Sequence, residues 1–235
     1  AEDLTDKTYH IISWLLPEAS DIKLRLRMRL VEGILVEDSA SPLRHYLETC
    51  DYAQSTGPIM GVDDSNFEMT FFCGVQGSNP EHAEEFKNGV FKILEDVASK
   101  PVDTDMVDAI LHQIELHQRE INGDGMPYGL SLILNGLSSV IHHSDPIHVW
   151  DVDSAMEQVK EELKDPMWLS NLIKTYLIDN AHRVQMTLVP DANKSAAEAE
   201  AEKARLAEIG AKLTEEQKAE IIAQTEALKV RQDTP

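Results

Sequence analysis

The chain of 235 residues is poor in cysteine and in basic side chains. Two cysteines, Cys50 and Cys73, are too few for a disulfide framework, which favours a reducing compartment. The 21 basic residues stand against 42 acidic residues, and the resulting net charge of −21 argues against a nucleic-acid surface. The longest apolar run is far shorter than a membrane span, so we expect no membrane contact. No initiator Met or leader precedes Ala1, and we expect a soluble piece of a longer protein.

Motifs of a self-contained catalytic centre are also missing. There is no phosphate-binding G-x-x-x-x-G-K-[ST] or G-x-G-x-x-G pattern and no G-x-S-x-G nucleophile elbow. His112, Glu115 and His117 miss the H-x-x-E-H zinc pattern by one residue. Histidines five residues apart diverge by about 140° on a helix, whereas histidines four apart diverge by about 40° and can bind one ion. The sequence therefore predicts no zinc site on this helix.

A second group of histidines follows farther along the chain. His142, His143, Asp145 and His148 would supply enough zinc ligands, but their spacing fits no standard site. Asp145-Pro146 is more typical of a helix end, where neighbouring histidines are favourable. An independent metallohydrolase that uses either group of histidines remains an alternative hypothesis.

The composition divides the chain into two parts. Every Trp, Tyr and Phe precedes Asp191, whereas residues 191–235 contain eleven alanines. We predict an α/β domain over residues 1–190 and an α-helical hairpin over residues 191–235, with helices at Ser195–Ile209 and Glu215–Val230 joined through Gly210. Residues 1–190 hold 14 basic and 32 acidic side chains, and this difference of −18 would suit basic peptides as partners.

Alternating apolar residues predict four strands, at Thr8–Leu16, about Pro58–Val62, Phe67–Val75 and Arg183–Val189. The first is apolar on both faces, so we expect it at the centre of the sheet and covered on both sides. In the third strand, one face carries the apolar residues Phe67, Met69, Phe71, Cys73 and Val75. This pattern predicts that Cys73 fills the core.

Helical periodicity accounts for most of the remaining residues up to 190. Ile22–Leu30 alternates like a strand, but it is rich in Leu, Met, Arg and Lys, and Asp21 can cap it, so we predict a helix over Asp21–Val36. Later apolar stripes include Phe86, Val90, Ile93 and Val97, then Val107, Ile110 and Ile114, then Leu130, Ile133, Leu134, Leu137 and Ile141, and finally Leu169, Leu172 and Ile173. The fold class predicted is α/β of the α+β kind, a mixed sheet with helices mainly on one face.

Several short motifs occur together in one order. They are His112-Gln113-Ile114-Glu115, Arg119-Glu120-Ile121-Asn122, Pro127-Tyr128-Gly129-Leu130-Ser131-Leu132, and His143 with Asp145-Pro146. Ser41-Pro42-Leu43 and the Val-Gln-Gly turn at Gly77 support them. With these motifs, about residues 5–235 resemble the presequence protease branch of the pitrilysin and insulin-degrading enzyme family of zinc metallopeptidases.

The resemblance implies a role inside a larger protein. Such enzymes contain four similar metallohydrolase-like α/β domains in two halves, which a helical hairpin links and which close around peptides. The family's H-x-x-E-H helix lies in the first domain, whereas the comparable helix here, Asp21–Val36, has no histidine. The chain therefore resembles the second, non-catalytic domain and the start of the linker. An interaction or adaptor module that docks through the hairpin remains a further alternative.

The resemblance also implies cofactor, partners and location. No cofactor is expected in this chain, and zinc would be bound by another domain of the parent protein. Partners would be the remaining domains of that parent and peptide substrates, but no nucleic acid and no membrane. The location would be cytoplasmic or an organelle matrix. We expect the chain alone to be inactive toward peptides.

In the wider family, a strand of the second domain holds the end of a peptide, which extends the sheet by one strand. In the comparable segment here, Pro58 suits a sheet edge and Gly61 allows close backbone approach. The residues just before the helix at Pro42 are expected beside it, with free amides for a carboxylate or carbonyl. The candidate substrate-binding residues are Pro58, Ile59, Met60, Gly61, Ser39, Ala40 and Ser41. An ordinary edge strand guarded by proline is the alternative.

Overall fold

The structure is a computed structural model that describes residues 3–119 and 125–234. The chain divides into two compact units, one of residues 5–190 and the other containing residues 191–234. No helix within the described ranges is both long and apolar enough to span a bilayer.

Residues 5–190 contain a sheet whose strands occur in the order β2-β4-β1-β5, with β3 also paired to β4. The strands are β1 (Thr8–Glu18), β2 (Ser55–Thr56), β3 (Gly61–Asp63), β4 (Glu68–Ser78) and β5 (Arg183–Leu188). The α/β class is confirmed, and β1 is central as predicted. All pairings among the described residues are antiparallel, whereas we predicted a mixed sheet. Whether two strands are parallel or antiparallel depends on the end of the sheet at which the connecting segment re-enters it. The alternation of apolar residues within a strand does not specify that direction.

Within the part of the chain that the structure describes, only one face of β1 is covered. Ile12, Trp14 and Leu16 are buried, whereas Tyr9 and Leu15 on the other face are 36% and 41% exposed. The prediction of cover on both sides was therefore wrong, because the described helices pack mainly on the Trp14 face. On β4, Met69, Phe71, Cys73 and Val75 are buried, which confirms Cys73 as a core residue. Phe67 differs from the prediction, since it lies before β4 with its ring exposed against His142, 5.6 Å away.

Helix α1 (Ile22–Val36) is present as predicted, although the alternating apolar residues of this segment favour a strand. The Asp21 carboxylate accepts hydrogen bonds from the backbone N–H groups of Lys23 and Leu24, both at 3.0 Å. Nine residues of the helix are buried, so it has no single apolar stripe. A helix packed on several sides needs apolar residues around much of its circumference, which explains the absence of a 3.6-residue period.

The other α-helices of this unit are α2 (Pro42–Thr49), α3 (Ala83–Ala98), α4 (Thr104–Arg119), α5 (Tyr128–Ile141), α6 (Pro146–Trp150), α7 (Val152–Glu162) and α8 (Trp168–Ile173). Most of them pack on α1 or on the covered face of the sheet, whereas α5 and α6 pack mainly on each other. From α3, the ring of Phe86 stacks on His10 at 5.9 Å, and Phe91 lies 6.1 Å from Trp14. α5 differs, because its predicted core stripe is exposed.

Residues 191–234 form two consecutive helices, α9 (Lys194–Lys212) and α10 (Glu215–Asp233). A capping box starts α10, since Thr214 Oγ1 accepts from Gln217 N at 3.2 Å while Gln217 Oε1 accepts from Thr214 N at 2.9 Å. Gly210 lies inside α9 and does not join the helices as we predicted, because α9 continues to Lys212. Neither helix has a buried residue. We call them the tail helices.

Candidate functional site

The candidate docking segment lies at the edge of the sheet beyond β4. The predicted strand at Pro58–Val62 is shifted, because β3 starts at Gly61 and a loop of residues 57–60 separates it from β2. Gly57 N donates to Gly74 O at 2.7 Å, which ends the β2 pairing, and Pro58 has no N–H with which to continue it. Ile59 is exposed in this loop, and Met60 packs partly against the core.

Gly61 allows a side chain of α1 to approach the edge strand closely. Its φ of +95° lies in the left-handed region, and a Cβ at this position would overlap Glu32 Oε1. Glycine meets both requirements, since it lacks a Cβ and adopts positive φ without strain. The predicted close approach at Gly61 therefore exists, but within the chain it is made by Glu32.

Glu32 occupies the outer edge of β3. Its Oε1 accepts a hydrogen bond from Val62 N at 3.0 Å, and its Oε2 accepts from Arg29 Nη1 at 2.9 Å. Burial raises the pKa of Glu32 above its usual value, and the attraction of Arg29 opposes this rise only in part. One backbone donor of the candidate edge is thus already satisfied by a partly buried carboxylate.

We predicted free backbone amides in the segment before α2, but two of these amides are hydrogen-bonded within the chain. Ala40 N and Ser41 N both donate to Asp38 Oδ1, at 2.8 and 3.0 Å. The side chain of Ser41 is buried, and its Oγ donates to Gly33 O at 3.3 Å. An aspartate commonly closes a turn onto amides two and three residues ahead, so Asp38 supplies the carboxylate that we expected from a ligand. Ser39 and Ala40 are exposed at the surface.

A cavity of about 440 Å³ lies against the same part of α1. Its charged lining includes Arg25, Arg29, Glu32 and Asp64, and its apolar lining includes Trp150 of α6. Arg25 donates through Nε and Nη2 to Asp64 Oδ2, at 3.0 and 2.7 Å. The cavity is therefore lined by ion pairs as well as by apolar side chains.

The pKa of Glu32 predicts how stability depends on pH. The pKa of Glu32 is higher in the folded state than in the unfolded state, so protonated Glu32 contributes to stability below its unfolded pKa. This contribution is lost as the pH rises through the folded pKa. Glu32→Gln keeps an acceptor for Val62 N and cannot ionise. Between about pH 4 and pH 7, we expect the free energy of unfolding of the wild type to fall relative to that of Glu32→Gln, as measured by urea denaturation.

Glu48 provides a control, because its effect on the pH dependence of stability has the opposite sign. A hydrogen bond from Arg44, followed by one from Ser39, lowers the pKa of the exposed Glu48. The contribution of Glu48 to stability is complete above the unfolded pKa and is lost as the pH falls through the folded pKa, so the wild type should lose stability relative to Glu48→Gln as the pH falls below about 4.5. A pH-independent difference between wild type and Glu32→Gln would contradict the role of burial at Glu32.

Among the described side chains, the histidines that suggested a metal site form no metal-binding group. Among residues 3–119 and 125–234, no three His, Cys, Asp or Glu side chains form a group that could hold a metal ion. His112 is exposed on α4, and Glu115 lies 3.9 Å from Lys160 Nζ. The side chains of His117 and His148 lie outside the described part of the structure. The chain segment at His143 ends a helix as predicted, since α5 stops at Ile141 and α6 starts at Pro146.

The position equivalent to the family's zinc helix also fails to fit a metal. α1 follows the opening strand, and its arginines pair with carboxylates. Arg27 donates to both oxygens of Glu162 on α7, at 2.6 and 3.1 Å, and Arg25 pairs with Asp64. Guanidinium groups are always protonated and cannot bind a metal ion. The residues of α1 do not provide the ligands that zinc requires.

Comparisons with known proteins agree with this fold. Residues 188–235 match the family of segments associated with subfamily C of the M16 peptidases. Presequence protease 1 of Arabidopsis thaliana, a chloroplast and mitochondrial protein, is 30% identical over 99% of this chain. The mitochondrial presequence protease of Yarrowia lipolytica is 26% identical over 95% of it. In each case the chain spans only 22% of the relative's length.

A solved inactive peptidase domain from Bordetella parapertussis has a similar fold. The TM-score is 0.58 at 14% sequence identity, and the match covers 81% of this chain and 95% of that domain. By sequence and fold, the chain is therefore similar to domains of the peptidase M16 family. Within that family it resembles the presequence proteases, and the resemblance predicted from the motifs is confirmed.

Proposed function

We propose that the chain is the second, non-catalytic domain of a larger zinc peptidase, together with the start of its helical linker. The domain would span residues 1–190 and the linker residues 191–235. In this proposal another domain of the parent binds zinc, and this domain helps to form the chamber that encloses peptides. Its partners are the remaining domains of the parent and the peptides themselves, in an organelle matrix or the cytoplasm.

The main observation in favour of this proposal is the chemistry of α1. Its position after the opening strand corresponds to the zinc helix of a catalytic domain, but Arg25 and Arg27 form ion pairs with Asp64 and Glu162. These pairs attach α1 to its surroundings, and its one carboxylate, that of Glu32, accepts from Arg29 and from Val62 N. A helix used in this way is structural, so we expect no peptide hydrolysis by this chain alone.

The proposed contact with substrate is the outer edge of the segment Pro58–Gly61. An extended peptide would add a strand beside it through backbone hydrogen bonds, which tolerate many sequences. Val62 N points away from β4 and donates to Glu32, so an added peptide strand would lie beside this carboxylate. The exposed Ser39 and Ala40 would line the approach.

A substitution in the full-length parent tests this edge. Met60→Pro removes one backbone donor, so it should weaken the binding of long peptides, which reach the edge, while short peptides bind as before. Met60→Ala is the matched control, because it shortens the side chain but retains the N–H. Peptide Kd values for both lengths should be measured by fluorescence anisotropy, with circular dichroism as the check on folding. An equal loss for both lengths in a folded protein would rule out docking at this edge.

A further inference from the structure

The outer edge of β3 offers the backbone groups of one residue to an added strand. Gly61 and Asp63 pair with Phe72 and Thr70 of β4. Because backbone groups alternate in direction along a strand, the N–H and C=O of Val62 point away from β4. In an antiparallel addition, the residue opposite Val62 would accept a hydrogen bond from its N–H and donate one to its C=O. Val62 is therefore the residue of β3 at which a peptide strand would attach.

A carboxylate of the same chain already occupies this position. Glu32 Oε1 accepts from Val62 N at 3.0 Å, so it lies where the carbonyl oxygen of an added strand would lie. Gly61 makes this contact possible, because a Cβ there would overlap the same oxygen. A backbone N–H is a single donor, so Glu32 and a peptide carbonyl compete for it.

Arg29 fixes the Glu32 carboxylate at this edge. Its Nη1 donates to Glu32 Oε2 at 2.9 Å, while its Nη2 lies 3.7 Å from Asp64 Oδ2. Arg29 is therefore placed between two carboxylates, and it keeps Asp64 as a partner if Glu32 leaves. Release of Glu32 thus does not leave an unpaired guanidinium, which would be costly at a partly buried position.

The cavity beside α1 gives a released Glu32 side chain room to move. It has a volume of about 440 Å³, and Glu32 forms part of its lining together with Arg25 and Arg29. The Glu32 side chain is only 15% exposed in its present position, so a rotation into the cavity would bring its carboxylate into better contact with water. An ionised carboxylate is more favourable in water than in a buried position, which offsets part of the lost bond to Val62 N.

We propose that Glu32 is an autoinhibitory residue of the β3 edge, which a peptide must displace from Val62 N before it can add as a strand. This inference rests on the proposed function, since it concerns the regulation of the same docking edge. In the bound state the peptide carbonyl accepts from Val62 N, Glu32 turns into the cavity, and Arg29 pairs with Asp64. The wild type realises only part of its intrinsic affinity for peptides, because each binding event includes the release of Glu32.

Substitution of Glu32 in the full-length parent tests this competition. Glu32→Ala leaves Val62 N free, so the Kd of long peptides should fall by about tenfold, the equivalent of one hydrogen bond to a charged group. Short peptides, which do not reach the edge, should bind as before. Kd values should be measured by fluorescence anisotropy after chelation of the parent's zinc, so that bound peptides are not cleaved. A purely structural role of Glu32 predicts the opposite sign, because a distorted β3 would bind long peptides more weakly.

Two further variants complete the test. Glu162→Ala is the matched control, because it also removes the carboxylate partner of an α1 arginine, Arg27, and the Glu162 side chain is similarly buried, at 22% exposure. This control should leave both Kd values unchanged. Glu32→Gln retains an acceptor for Val62 N but loses the ion pair with Arg29, so the long-peptide Kd should fall by about threefold. If circular dichroism shows that Glu32→Ala does not fold, Glu32→Gln decides the question.

The other outcomes separate this inference from the proposed function. A long-peptide Kd that is unchanged or higher in folded Glu32→Ala overturns the inference, as does an equal fall for short peptides or in Glu162→Ala. If Met60→Pro weakens only long peptides while Glu32→Ala does not strengthen their binding, docking at the edge stands and competition by Glu32 is excluded. If Met60→Pro weakens long and short peptides equally, docking at the edge and competition by Glu32 both fail.

Discussion

Trp14→Ala should lower the free energy of unfolding by about 3–5 kcal/mol. The side chain is fully buried at the centre of β1, with its ring 5.8 Å from Phe71 and 6.1 Å from Phe91. Truncation would remove the contacts between the sheet and α3 and leave a cavity that the neighbouring rings cannot fill. Because single domains are stable by only about 5–15 kcal/mol, this loss is a large part of the total.

The neighbouring residue on the same strand provides the control. Leu15 lies on the uncovered face of β1 and is exposed, so Leu15→Ala should cost less than about 1 kcal/mol. Both variants should be compared with the wild type by guanidinium denaturation under one set of conditions. A loss at Leu15 as large as that at Trp14 would contradict a sheet covered on one face only.

The amides of the tail helices should exchange with solvent at least about a hundredfold faster than those at the centre of β4. Neither α9 nor α10 has a buried residue, so only local hydrogen bonds oppose their opening. An isolated helix of this length is marginal in water, because helices in proteins gain most of their stability from packing. In contrast, Phe71 and Cys73 are fully buried in a strand paired on both sides.

Helix α3 is the control that distinguishes amide protection by packing from amide protection by helical hydrogen bonds alone. It has 16 residues, similar in length to the tail helices, but Phe86, Val90 and Leu94 are buried in the core. Hydrogen exchange followed by mass spectrometry should show α3 protected and the tail helices open. Tail protection equal to that of β4 would contradict the prediction, and its disappearance on dilution would identify a second copy of the chain as the cause.

Helix α1 shows that local sequence can predict a helix even where the apolar pattern favours a strand. Its alternating pattern favours a strand, yet the helix-forming residues and the capping position at Asp21 predict the helix that is present. Propensity and capping act within a few residues, so they can be read from the sequence even where periodicity misleads. The same holds for the capping box at Thr214 and for the end of α5 before Pro146.

The candidate site was only partly predictable. The sequence indicated the position of Gly61 and a sheet edge, but not that Glu32, thirty positions away on α1, would accept from Val62 N. Nor did it indicate that Asp38 would take the amides of Ala40 and Ser41, although an aspartate two residues before Ala40 is a recognisable turn signal. Contacts between distant elements depend on how those elements pack, and no local pattern records them.

By itself, the sequence determined the class of fold, most helices and strands, the acidity of residues 1–190 and the resemblance to the presequence proteases. Each of these follows from residue type or from spacing along the chain. The tertiary structure decided which apolar surfaces are covered. Trp14 and the α5 residue Ile133 both belong to patterns typical of a core, yet one is fully buried and the other is 64% exposed. Periodicity marks an apolar face, but burial requires a second surface against it, and only the packing of distant segments supplies that surface.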